Sequence, residues 1–169
     1  MIKQSELLPD ATLYEYVEDD RAGCTLGPNS FNVREQTAGK RVVIFGLPGA
    51  FTPTCSAKHV PGYIEKAGAL AAAGIDEVWC VSVNDAFVMG AWGRELRTAG
   101  KVRMMGDGSA AFTQALGLEQ DLSARGMGLR SQRYAMVVDD GVVKTLHVEA
   151  PGKFEVSDAA SILATLGPA

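Results

Sequence analysis

The sequence predicts one α/β domain built on a largely parallel β-sheet, with an antiparallel hairpin at one edge. Its 169 residues are the length of one ordinary domain. Strand-like and helix-like segments alternate along the chain, which is typical of a layered α/β fold. Two strand-like segments flank Asp139-Asp140-Gly141, a turn sequence that predicts a hairpin. No repeat or linker divides residues 1–169, so we expect a single domain.

The predicted strands fall into two kinds. Residues 41–47 and 76–83 are continuous apolar runs, as expected of strands that are buried on both faces. The remaining predicted strands are shorter or more polar, and they cover residues 12–17, 101–105, 134–138 and 142–148. Two strands joined by the predicted turn close the sheet at its antiparallel edge.

The predicted helices lie between these strands. Residues 61–73 are rich in helix formers, and Gly74 ends them. Three further helices each follow a residue whose side chain is suited to an N-cap. Those predicted N-caps are Asn84, Ser109 and Ser157.

Composition excludes several function classes. A net charge of −4 argues against nucleic-acid binding, which needs a basic surface. The longest apolar stretches run about half a dozen residues, too short to span a bilayer. The chain has three cysteines (Cys24, Cys55 and Cys80), two histidines and no C-x-x-C, so a structural zinc site is excluded. We expect no secretory signal, because the first residues lack an apolar core, and therefore a reducing cytoplasm.

The segment most informative about chemistry is residues 46–56, which follow a buried strand and open a helix. Thr52-Pro53 predicts a helix start, with a hydroxyl N-cap followed by proline at the first helical position. Cys55 then lies in the first turn, where free N–H groups and the helix dipole stabilise an anion. Cys55 is therefore a candidate nucleophile. The alternative is that Thr52 is only a cap and Cys55 a buried apolar residue.

His59 raises a second possibility, because it follows Cys55 by four residues on the same helix face. A cysteine–histidine dyad would suit acyl transfer. We favour the simpler interpretation that His59 is a polar residue beside the site. A third interpretation is a redox sensor in which Cys55 is oxidised without turnover.

The motif Pro48-x-x-x-Thr52-x-x-Cys55 resembles the active-site motif of the peroxiredoxins. The sequence is similar to the type II, or atypical two-cysteine, group over nearly its whole length. The stretches that carry this similarity are residues 45–55, 81–88, 92–94 and 133–138. The resemblance implies a thioredoxin-like fold, with a central mixed β-sheet flanked by helices. It also implies an active site of Pro48, Thr52, Cys55 and Arg133, while Arg130 is set aside as a neighbour.

The resemblance further implies that the Cys55 thiolate attacks a peroxide and becomes a sulfenic acid. We expect Arg133 to supply fixed positive charge to the departing oxygen. Thr52 is expected to cap the helix and to donate its hydroxyl proton to peroxide or sulfur. Pro48 has no N–H and is expected to limit the access of water. Hydrogen peroxide and small organic hydroperoxides are both expected substrates.

The way in which the sulfenic acid is reduced differs within this group. One subgroup carries an internal resolving cysteine near the last helix, but the matching residues 154–157 contain none. Cys80 has a counterpart in the glutathione- and glutaredoxin-dependent subgroup, although it lies mid-strand and is expected to be an inert core thiol. We expect no catalytic role for Cys24. Glutathione, with glutaredoxin, is therefore the expected reducing co-substrate, with thioredoxin as the alternative and no bound cofactor.

The resemblance also implies a homodimer that packs through loops around the active site. Phe51, Phe87 and Trp92 are the candidate contacts. Each of them is also suited to the protein core, and the helical spacing of Trp92 favours the core.

Overall fold

The computed structural model describes residues 1–17 and 28–167, and this part of the chain is organised around a seven-stranded mixed sheet. The order of the strands across the sheet is β2-β1-β5-β4-β3-β8-β9. These strands are β1 (Thr12–Glu15), β2 (Asn29–Asn32), β3 (Arg41–Gly46), β4 (Glu77–Ser82), β5 (Arg103–Gly106), β8 (Tyr134–Asp139) and β9 (Val142–Val148). A separate small hairpin pairs β6 (Glu119–Asp121) with β7 (Leu129–Ser131).

The centre of the sheet is parallel and the edge formed by the β8–β9 hairpin is antiparallel, as predicted. At the opposite edge β1 pairs antiparallel with β5 and with β2, which was not predicted. Strands β3, β4 and β5 run parallel, while β8 pairs antiparallel with β3 and β9 with β8. The β8–β9 turn contains Asp140 and Gly141, both at positive φ, as a tight hairpin turn requires. The predicted thioredoxin-like fold, a mixed central sheet flanked by helices, is confirmed.

Helices cover both faces of the sheet. They are α1 (Val33–Thr37), α2 (Val60–Glu65), α3 (Ala67–Ala72), α4 (Ala86–Leu96), α5 (Ala111–Leu116) and α6 (Ala159–Thr165). A π-helical turn, Cys55–His59, precedes α2 without a gap, and α3 follows α2 after Lys66. The helical run therefore begins at Pro53, eight residues before the helix predicted at 61–73. None of the described helices is long and apolar enough to cross a bilayer.

The central strands are buried because each face of the sheet packs against its own hydrophobic cluster. Val43, Phe45 and Cys80 point into one cluster, which also contains the helices next to Cys55. Val42 and Ile44 point into the other. This alternation explains why residues 41–47 read as a continuous apolar run.

Three predicted N-caps are wrong, and in each case an aspartate carboxylate accepts the N–H groups instead, although the N-cap position of α5 is Ala110. Asp85 caps α4, and Asp158 caps α6, each through a bond from a backbone N–H in the first turn. The carboxylate of Asp107 accepts N–H groups of α5. A carboxylate at a helix start satisfies free N–H groups and also complements the dipole. The residues that had been predicted as N-caps are Asn84, Ser109 and Ser157.

Candidate active site

The site lies at the carboxyl end of β3, where the chain turns into the helical run. Gly46 ends the strand opposite Tyr134. A side chain there is excluded, because a Cβ on Gly46 would lie 2.1 Å from the Tyr134 ring. Tyr134 therefore packs directly on the backbone of β3, and this register places its neighbour, Arg133, beside the loop that carries the motif.

Cys55 begins the π-helical turn, and its carbonyl accepts the N–H of Val60. The side chain is fully buried. Nη2 of Arg133 donates to Sγ of Cys55 at 3.2 Å. A guanidinium donor at this distance stabilises negative charge on sulfur. The structure thus brings together the two residues that the sequence placed 78 positions apart.

Arg133 is held in place by His59. Nη1 of Arg133 donates to Nδ1 of His59 at 2.9 Å, and Nε2 of His59 lies 3.1 Å from the carbonyl of Ser157. A carbonyl only accepts, so the proton is on Nε2 and Nδ1 is the acceptor. Burial and the positive charge of Arg133 lower the pKa of His59 to about 3. His59 is therefore a neutral imidazole whose acceptor nitrogen is already occupied.

These bonds contradict the Cys55–His59 dyad. A general base for Cys55 needs a free ring nitrogen that faces the sulfur. Both ring nitrogens of His59 have other partners, and its contact with the sulfur runs through Arg133. His59 is a positioning residue. The spacing of four from Cys55 was the only signal of it in the sequence, and the arginine partner was not visible there.

Thr52 differs in part from its predicted role. Its carbonyl accepts the N–H of Ser56, as expected at a helix start. Its hydroxyl, however, donates to the carbonyl of Gly49 at 2.7 Å instead of capping the helix. The hydroxyl proton is thereby committed, and the lone pairs of Oγ1 remain as acceptors.

Arg130, which was not expected to belong to the site, supports the wall of the site. Its Nη1 donates to the carbonyl of Pro48 at 3.3 Å, and its Nε to the carbonyl of Met127 at 2.9 Å. A Cβ at Gly49 would lie 2.9 Å from Nη1 of Arg130, so the glycine makes room for the guanidinium. Arg130 thus fixes the position of Pro48 without contacting Cys55.

A cavity of about 600 Å³ opens in front of these residues. Pro48, Thr52 and Arg133 belong to its wall, and Cys55 lies behind them. Its other walls come from the β6–β7 hairpin, the residue that follows this hairpin, and the loop after β9, and they include Gln120, Met127, Gln132 and Phe154. A small molecule in the cavity therefore meets the three predicted neighbours of Cys55 before it meets the sulfur.

Comparison with known proteins identifies the family. The family model described as Redoxin matches residues 3–163. Peroxiredoxin-2B of Arabidopsis thaliana is 46% identical over 165 residues, which are 98% of this chain and 98% of the relative. The chain belongs to the peroxiredoxins.

Solved structures agree with this fold. Reduced Prx3 of Vibrio vulnificus in complex with hydrogen peroxide is 54% identical, covers 98% of this chain and 99% of its own, and superposes with a TM-score of 0.90. A crystal structure described as "a putative thioredoxin reductase" from Burkholderia cenocepacia is 78% identical over 99% of both chains, with a TM-score of 0.95. This peroxiredoxin contains no C-x-x-C dithiol and no G-x-G-x-x-G dinucleotide motif.

The loop after β9 of this peroxiredoxin is fastened by a buried carboxylate. Glu149 accepts the backbone N–H groups of Glu155, Val156 and Ser157, and the Ser157 hydroxyl at 2.7 Å. Burial alone would raise the pKa of Glu149, but the Ser157 hydroxyl and these N–H groups together hold it below its usual value. The same loop presses Phe154 against His59, with 4.9 Å between ring centroids. Glu149 therefore supports the His59–Arg133 pair indirectly, through the loop that carries Phe154.

We predict that Glu149→Gln destabilises the protein most at neutral pH. A carboxylate whose folded pKa is depressed contributes stability above its unfolded pKa of about 4.3, and that contribution is lost as pH falls through the folded value. We expect a loss of about 2 kcal/mol in the free energy of unfolding at pH 7. Urea unfolding of Glu149→Gln and of the wild type at pH 7 and pH 3 measures it. The gap between the two proteins should narrow at pH 3, whereas an equal gap at both pH values would contradict the prediction. Glu119→Gln, an exposed carboxylate on β6, is the control.

Of the remaining predicted residues within the described ranges, two are buried and two are half exposed. Cys80 is a free thiol, fully buried in β4, and burial raises its pKa well above the usual value. Trp92 is also fully buried, and its indole N–H donates to the Ser56 hydroxyl, so the core position favoured by its helical spacing is confirmed over the interface alternative. Phe51 and Phe87 are half exposed. Cys24 lies outside the described residues.

Within the described ranges, no cluster of three or more His, Cys, Asp or Glu side chains is arranged to hold a metal ion.

Proposed function

We propose that Cys55 is the peroxidatic nucleophile of this thiol peroxidase. The observation that carries the proposal is the 3.2 Å bond from Arg133 to Sγ of Cys55, with Arg133 itself held by His59. The thiolate attacks one peroxide oxygen, an S–O bond forms and the O–O bond breaks. Cys55 becomes a sulfenic acid, and the departing oxygen takes a proton and leaves as water or an alcohol.

Arg133 and Thr52 have complementary roles in this proposal. Negative charge grows on the leaving oxygen as the O–O bond breaks, and the guanidinium lies where it can stabilise that charge without rearranging. Since the Thr52 hydroxyl donates to Gly49, its oxygen is left to accept an O–H from the peroxide. This contact would orient hydrogen peroxide for in-line attack. The proposed role of Thr52 thus changes from donor to acceptor.

Pro48 and the burial of Cys55 protect the intermediate. Pro48 offers no N–H, and its carbonyl is already bonded to Arg130. A rigid ring in the cavity wall limits the number of water molecules near the sulfur. The sulfenic acid would therefore persist long enough to meet a reductant.

We infer that hydrogen peroxide and organic hydroperoxides are both substrates. The Vibrio vulnificus relative, whose structure is described as a complex with hydrogen peroxide, supports the first. The volume of the cavity in front of Cys55, about 600 Å³, supports the second, because it also accommodates an organic substituent.

We propose that an external thiol, glutathione with glutaredoxin, reduces the sulfenic acid. No cysteine occurs at residues 154–157, which excludes an internal partner there. Cys80 is buried in a strand of the central sheet, and a disulfide requires Cα atoms within about 7 Å and a suitable orientation. Thioredoxin is the alternative reductant, and it would use the same sulfenic acid.

Steady-state peroxide consumption tests this proposal. With purified enzyme and hydrogen peroxide, we expect turnover with glutathione plus glutaredoxin, and a glutathione adduct on Cys55 by intact mass. Thioredoxin with its reductase, assayed in parallel, should support a lower rate. Turnover with thioredoxin alone, and no adduct, would assign the reductant to thioredoxin. Oxidation of Cys55 without turnover by any thiol would instead identify a redox sensor.

We further propose that the chain forms a homodimer. Phe51, in the motif loop, and Phe87, at the start of α4, expose 51% and 57% of their surface. Exposed aromatic side chains favour an interface. Sedimentation of the wild type against Phe51→Ser/Phe87→Ser tests this, and a monomeric wild type would refute it.

A further inference from the structure

The cavity in front of Cys55 is larger and more positive than peroxide reduction requires. Hydrogen peroxide has two heavy atoms, and a water molecule occupies about 30 Å³. A cavity of about 600 Å³ exceeds that need several-fold. The charged residues in its wall are Arg125, Arg133 and Lys153 on the positive side and, among the described residues, Glu149 alone on the negative side.

Two of these cations have no partner in the part of the chain that the structure describes. Arg133 bonds to His59 and Cys55, and the carboxylate of Glu149 is engaged by the backbone of residues 155–157. Arg125 lies in the loop between β6 and β7, and Lys153 in the loop after β9. Both side chains are exposed, and neither makes a hydrogen bond or ion pair with a described residue. Two different loops therefore bring free positive charge to one cavity.

We propose that Arg125 and Lys153 bind the carboxylates of a small acidic thiol, of which glutathione is the example, and so orient its sulfur toward Cys55. This inference rests on the proposed recycling by an external thiol. Arg pairs with a carboxylate through two N–H groups, and Lys acts as a point charge. The thiol sulfur attacks the sulfenic sulfur, an S–S bond forms, and the S–O bond breaks. The hydroxyl leaves with the thiol proton as water. A second thiol then displaces Cys55 and forms the small disulfide.

A matched pair of thiols isolates the charge. Glutathione and its diethyl ester have the same reactive cysteine, but the ester has no free carboxylate. The rate of reduction of pre-formed Cys55 sulfenic acid is measured with each thiol in wild type and in Arg125→Gln/Lys153→Gln. Because the double variant removes two exposed ion pairs, each of modest strength, we expect it to react roughly fivefold to tenfold more slowly with glutathione. Its rate with the diethyl ester should change by less than about twofold.

The control is Lys66→Gln/Lys101→Gln, which removes the same net charge from exposed positions outside the cavity wall. It should leave the preference for glutathione over the ester unchanged. High salt should reduce the preference in the wild type, because exposed charges are screened. An equal loss with both thiols, or no loss with glutathione, would overturn the proposal. A further comparison uses the oxidation step, with a hydroperoxide that carries a carboxylate and with cumene hydroperoxide, which carries none. If the double variant changes only this comparison and not the reduction step, the proposal is also overturned.

A binding measurement separates this inference from the peroxidase chemistry. S-methylglutathione cannot react, and Cys55→Ser cannot be oxidised at that position. Calorimetry should show S-methylglutathione binding to Cys55→Ser, weakened about fivefold or more by the added Arg125→Gln/Lys153→Gln pair. Equal binding by both proteins would refute the carboxylate site even if the enzyme proves to be glutathione-dependent. Failure of Cys55 to react with peroxide would refute the proposed function and leave this result valid.

Discussion

Replacing Cys55 with serine will abolish peroxide reduction while leaving the fold intact. Serine differs by one atom and fits the same buried space, but at neutral pH its hydroxyl supplies no anionic nucleophile. Loss of the nucleophile should reduce the rate by more than about 10³-fold, to the level without enzyme. Peroxide consumption with excess thiol measures this, and far-ultraviolet circular dichroism with a urea midpoint checks the fold.

Cys80→Ser is the matched control, because it removes the other described thiol. We expect it to retain peroxidase turnover, with a loss of stability that reflects a polar atom placed in the core. Substantial turnover in Cys55→Ser would show that another group reacts with peroxide. Loss of turnover in a folded Cys80→Ser would show that the sulfenic acid is resolved internally.

Replacing Arg133 with methionine should slow the reaction of Cys55 with peroxide by about 10² to 10³-fold, the usual cost of removing one preorganised donor. The guanidinium contacts both Sγ of Cys55 and Nδ1 of His59, through different terminal nitrogens. Arg133→Lys keeps the positive charge, but a lysine side chain has one nitrogen, whereas Arg133 uses two nitrogens for its two contacts. We therefore expect it to recover only part of the rate, and stopped-flow oxidation measures all three proteins.

Arg97→Met is the control for Arg133→Met, since Arg97 is an exposed arginine at the end of α4 and outside the cavity wall. It should react at the wild-type rate. A full recovery in Arg133→Lys would mean that positive charge alone is sufficient and that the two-nitrogen geometry is unimportant. A wild-type rate in Arg133→Met would remove Arg133 from the mechanism.

The central sheet could be predicted from the sequence because burial on both faces leaves a strong pattern. Residues 41–47 form a continuous apolar run, and β3 has a neighbouring strand on each side and a hydrophobic cluster on each face. The β8–β9 hairpin was predicted by its turn residues. Strand β2 and helix α1 were missed, because residues 29–37 contain only two apolar side chains, Phe31 and Val33, which are too few for a period to emerge.

The site was only half predictable, for a physical reason. The position of Cys55 at a helix start follows from Thr52-Pro53, which is a local signal. The Arg133–His59 bond and the Glu149 anchor depend on loops far apart in the chain, and their partners are backbone atoms or ring nitrogens that no motif records. The direction of the Thr52 hydroxyl is likewise set by Gly49, three residues away, and was predicted wrongly.

Stabilising the thiolate is not enough to explain fast peroxide reduction. A thiol with a pKa of about 8.5 is roughly 3% ionised at pH 7, and a pKa of about 6 would raise this roughly 30-fold. Nucleophilicity falls with basicity at β of about 0.4–0.5, which costs roughly 10- to 20-fold over the same range. The net gain is about twofold. The groups that face the peroxide oxygens must therefore supply most of the acceleration.

The claim that groups facing the peroxide oxygens supply most of the acceleration is tested most directly by the oxidation rate of Thr52→Val, corrected for its thiolate fraction. Single-turnover oxidation by hydrogen peroxide is followed against pH in wild type and Thr52→Val, and each rate is divided by the thiolate fraction read from ultraviolet absorbance. Because Thr52 orients the peroxide, we predict that the variant remains about 10- to 100-fold slower after this correction. A corrected rate within about twofold of wild type would contradict the account and leave thiolate formation as the sole role of the site.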